Sequence, residues 1–115
     1  MLRRLFQALP LLLLFVLPVN AADAPANAAP IARPSFDCAA AKSKINLLIC
    51  SDANLAALDA READMLRRAR AKAVQPDAVN AEQDVWVHDR DACSTVACLT
   101  RAYARRIQEL RAWTD

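Results

Sequence analysis

The 115-residue sequence contains no glycine, one histidine, one tyrosine and aromatic residues at only 5%. Without glycine, the tight two-residue turns of β-hairpins lose the residue that suits them best, so few means of building a sheet remain and a helical chain is expected. A single histidine leaves little room for metal or acid–base chemistry. His88 has Asp84 one helical turn earlier and Asp91 nearly one turn later, yet no further ligand accompanies them, so the group reads as solvated helix surface rather than as a metal or catalytic centre. No serine, thiol or carboxylate pair falls into a recognisable catalytic constellation. The chain is therefore expected to be a non-enzyme, with no metal and no cofactor.

The charge also lacks a dominant sign once the N-terminus is set apart. Arg3 and Arg4 precede an apolar run, Leu5 to Val19, that is short for a bilayer span and suits a secretory signal. Pro18 breaks the run ahead of Val19-Asn20-Ala21, placing cleavage after Ala21 or Ala22. No cysteine stands at that junction, the first being Cys38, so the lipid-attached export route has nothing to modify. Removing Arg3 and Arg4 leaves 13 basic against 13 acidic residues, a balance that draws the chain to neither nucleic acid nor a membrane. The expected address is the bacterial periplasm or the outside of the cell.

Residues 22–34 are Ala, Pro and Asn with almost nothing large to bury, and are expected to form a disordered linker. The single domain, residues 35–115, is small for an unaided hydrophobic core, so covalent staples are expected. Cys38, Cys50, Cys93 and Cys98 supply them, an oxidising compartment favouring disulfides over metal sites or redox thiols. Of the three connectivities, the local one is preferred. Cys38–Cys50 ties a short helix to the segment entering it, and Cys93–Cys98 closes the turn of a helical hairpin.

Apolar spacing places helices over roughly Lys42 to Cys50, Asp52 to Ala73, Ala78 to Ala92 and Val96 to Trp113. Ser43 and Asp52 are suited to cap the first two, and Pro76-Asp77 marks a turn. Trp86 and Trp113 fall on apolar stripes and are expected to pack in the core. Glu62, Gln83, Arg90 and Arg106 lie near the middle of such stripes, so a partly buried polar network is expected in which Glu62 meets one of the two arginines. Arg101 and Arg105, one turn apart on the last helix with Arg111 further round, offer a face for an acidic partner. The plainer alternative is a solvated surface favoured by the helix dipole.

Several segments carry a family resemblance. They are Ser35-Phe36-Asp37-Cys38, Cys50-Ser51-Asp52 leading to Leu55-Ala56-Ala57-Leu58-Asp59, Gln83-x-x-Trp86-x-x-x-Arg90-x-x-Cys93, Cys98-Leu99, and Tyr103-x-x-Arg106-Ile107-x-x-Leu110. In this order they resemble the lysozyme inhibitor LprI-like N-terminal domain, over nearly all of residues 35–110. The resemblance implies a periplasmic or surface helical domain and, for some members, binding and inhibition of lysozyme. Two positions depart from the pattern. Ser43-Lys44-Ile45-Asn46 replaces the usual proline and acidic residues of the first helix, and Glu62 stands where an apolar residue is usual. The expected function is thus an envelope binding protein that occludes lysozyme, the alternative being a non-inhibitory structural or interaction domain of the periplasm.

Overall fold

The computed structural model describes residues 32–115. The expected signal segment and most of the expected linker lie outside the described residues. A 3₁₀ turn at Cys38–Ala40 is followed by α1 (Lys44–Ser51), α2 (Ala53–Lys72), α3 (Pro76–Asp91) and α4 (Val96–Thr114), with no strand among the described residues.

Helix starts are built from short polar side chains. Ser43 Oγ accepts from Asn46 N–H at 3.0 Å, Asp52 Oδ1 from Leu55 N–H at 2.9 Å and Thr95 Oγ1 from Cys98 N–H at 3.1 Å, each satisfying an amide that lacks an intrahelical acceptor. The third helix starts two residues earlier than its spacing suggested, at Pro76 itself. Proline fits the first helical position because its missing N–H would be unpaired there and its φ is already helical. Helix ends are made without glycine: the caps Asp52 and Ala73 turn into extended backbone, and no described residue has positive φ.

Among the three long helices, α2 and α4 pack most extensively and α3 and α4 least. Two apolar clusters result. One gathers Ile45, Ile49, Leu55, Trp86, Cys93, Leu99, Ala102 and Tyr103, with Phe36 laid against it. The other gathers Leu66, Ala69, Val79 and Leu110, with Met65 and Trp113 half-buried at its edge. Each fully buried leucine or isoleucine contributes about 1.5–3 kcal/mol. Both disulfides join the expected partners, Cys38 to Cys50 and Cys93 to Cys98, with Cα atoms 5.8 and 5.6 Å apart.

Candidate functional site

Between the two apolar clusters, every long helix carries buried polar residues: Asp59 and Glu62 on α2, Gln83 on α3, Arg106 on α4. Arg106 is only 1% exposed. Its Nε–H donates to Gln83 Oε1 at 2.9 Å, and its Nη1 lies 3.4 Å from Glu109 and 3.6 Å from Glu82. Arg106 thus bridges the α3 and α4 carboxylates while anchoring inward on α3.

The expected ion pair of Glu62 with an arginine is not formed. Arg106 is engaged by Gln83 and by the two glutamates outside it. Arg90 is engaged elsewhere, bonding Asp91 through Nε and Nη2 at 2.9 and 2.8 Å and lying 5.4 Å over the Trp86 ring. The half-exposed carboxylate next in sequence and the Trp86 face hold the guanidinium in place of Glu62. Glu62 Oε1 and Arg106 Nη2 are buried without a protein hydrogen-bond partner. Burial pushes the Glu62 carboxyl pKa up, with Gln83 and the positive Arg106 opposing the shift but not cancelling it.

Asp59 was visible in the sequence only as part of a motif, and its role is structural. Its Oδ1 accepts the Tyr103 hydroxyl at 2.7 Å, and its Oδ2 accepts both Ser35 N–H and Ser35 Oγ–H at 2.6 Å. The entering segment, α2 and α4 converge on this one carboxylate. Burial, reinforced by the bond to Asp59, holds the Tyr103 hydroxyl well above the usual phenol range.

The loose contact of α3 with α4 leaves an open groove of about 880 Å3. Trp86, Arg106, Val85, Ala112 and Trp113 line it, with Glu82, Asp89, Arg105 and Glu109 around them. A smaller cavity of about 330 Å3 shares Asp89 and Arg105 with it and continues past Arg101 to the Cys93–Cys98 disulfide. Trp113 is half-buried rather than enclosed, and its indole N–H donates to Glu82 Oε2 at 3.1 Å. Trp86 is a core residue, its N–H bonded to Ala102 O at 3.0 Å and its ring edge-on to Tyr103.

Arg101 and Arg105 are both exposed on α4. Arg105 stands 3.6 Å from Glu109, so the face is partly compensated, whereas Arg101 enters no ion pair among the described residues. His88 is 89% exposed in its side chain, with Asp89 rather than Asp84 or Asp91 as its nearest carboxylate, at 3.7 Å. Among the described residues no three side chains are grouped to hold a metal, and no helix is long and apolar enough to cross a membrane.

These features define a small all-helical domain, stapled by two local disulfides and divided by a buried polar layer. Within that class the chain is LprI-like. It is 34% identical over 100 residues to Lipoprotein LprI of Mycobacterium bovis and to the same-named lipoproteins of two Mycobacterium tuberculosis strains. The match takes in 83% of this chain and 50% of each relative, so the chain spans about half the length of the curated relatives it matches. No family model and no solved structure matches the chain.

Proposed function

We propose that this chain is an exported envelope protein that acts by binding rather than by catalysis, and that its target is a lysozyme-type muramidase. The observation that carries this reading is the LprI-like relationship over 83% of the chain, joined to the lysozyme-inhibitor character that the family resemblance implies. Two disulfides and side-chain helix caps hold the domain rigid, so a helix face is presented at low ordering cost. A lysozyme cleft works through two carboxylates. The exposed pair Arg101 and Arg105 is the face proposed to meet them, with Arg101 the better donor because Glu109 already engages Arg105.

That engagement also favours the second reading, a non-inhibitory interaction domain of the envelope. The discriminating experiment is lysis of a cell-wall suspension by lysozyme with and without the purified domain, paired with a sizing column. Slowed lysis and a co-eluting complex, both weakened about tenfold in Arg101→Glu, support inhibition. Unchanged lysis with several lysozymes and no complex assigns the domain to the second reading.

A further inference from the structure

We propose that the groove between α3 and α4 is a binding site for an uncharged oligosaccharide, whether or not the domain inhibits lysozyme. The first observation is shape: about 880 Å3, open along one side and extended by the smaller cavity toward the Cys93–Cys98 disulfide, within the range of about 300–1,000 Å3 usual for small-ligand sites.

The second is charge. Glu82, Asp89 and Glu109 face Arg101, Arg105 and Arg106 across the two cavities, a formally neutral lining. It offers a strong anion or cation no net attraction, while presenting planar groups of both kinds, acceptors and donors, to neighbouring hydroxyls. The third is the apolar surface between them. Trp113 is half-buried with its ring held by the bond to Glu82, and Val85 is left 64% exposed on the wall. Sugars present alternating hydroxyl edges and C–H faces, and this lining offers a partner to each. A fixed indole suits the C–H face, being amphipathic and already ordered.

The test titrates the intact domain with a β-1,4-linked N-acetylglucosamine tetramer and with maltotetraose, in the absence of lysozyme, so that it succeeds or fails independently of the inhibitor reading. Saturable amide and indole NMR shifts at Val85, Ala112 and Trp113 with at least one sugar at millimolar concentration are expected. Arg105→Ala and Val85→Lys, both at exposed positions that leave the core intact, should weaken binding about tenfold each. Trp113→Ala should abolish it, and its thermal melt checks that the fold survives. No shifts with either sugar, or shifts that persist unchanged in both surface variants, overturn the proposal. A proline-rich peptide that perturbs these residues where neither sugar does overturns it in favour of a peptide groove.

Discussion

The Tyr103 hydroxyl donates to Asp59 at 2.7 Å in the core, on the same carboxylate that takes both Ser35 N–H and Ser35 Oγ–H at 2.6 Å. One side chain therefore closes α2 against α4 and pins the start of the domain. Tyr103→Phe removes one donor to a buried charge and is expected to cost about 1–3 kcal/mol. Asp59→Ala removes all three bonds and strands the tyrosine, so its loss should exceed that of Tyr103→Phe. Thermal melts of the two variants check the order, with about 4–8 °C of Tm for each kcal/mol in a domain of this size. Equal melts for Tyr103→Phe and wild type would show the bond to be energetically neutral.

Glu62 carries the opposite sign. Its folded pKa is raised, chiefly by burial, so ionising it costs stability in the native state and not in the unfolded one. That cost is fully present above the folded pKa and fades as pH falls through it toward the ordinary carboxylate range. Glu62→Gln, uncharged and nearly isosteric, should therefore melt above wild type at pH 7. The gap should close in acid, near the unperturbed value of about 4.3. A variant that melts below wild type at pH 7 would mean that the attraction of Arg106 outweighs burial.

The two disulfides should differ in weight. Cys38–Cys50 spans 12 residues and Cys93–Cys98 spans 5, so the unfolded-chain restriction amounts to about 3 and about 2 kcal/mol respectively. Cys38→Ser/Cys50→Ser should lower Tm more than Cys93→Ser/Cys98→Ser. It should also release α1 and the turn before it, read as loss of amide-exchange protection confined to residues 38–51. The reverse order of stabilities would point to strain or residual structure rather than loop length.

Helix number, approximate bounds, caps and cysteine pairing were legible because each rests on local chemistry: periodicity, a Ser or Asp ahead of an apolar run, proximity in sequence. The start of α3 at Pro76 is not given by apolar spacing, since Pro76-Asp77 signals a turn while proline also fits a first helical turn. The polar layer was legible as a set of positions, because charges in the middle of an apolar stripe stand out, but not as a set of bonds. Which partner Arg90 and Arg106 choose depends on how the helices cross, and Asp91 and Gln83 intercept them before Glu62. The α3–α4 groove left no mark in sequence, because an open seam arises from how little two helices touch.

The polar layer lies between apolar clusters on all three long helices, so sliding α2 or α3 by a turn against α4 would set Arg106 against apolar side chains such as Leu66, Val79 or Trp86. That position argues for a role in register, and it separates two mutational outcomes. Arg106→Met alone removes the charge that opposes the desolvation of Glu62 and leaves Gln83 without its donor, at an expected cost of about 1–3 kcal/mol. Replacing the layer together, Glu62→Leu, Gln83→Leu and Arg106→Met, removes the desolvated charges with their partners and should restore stability to wild type or above, as replaced buried ion networks often do. If register is what the layer supplies, the triple variant keeps its helical circular dichroism and its melting temperature but loses dispersion in its NMR amide spectrum. A triple variant with a native-like spectrum and a raised Tm would refute the register role, leaving the layer a stability cost of which only Arg106 serves the groove.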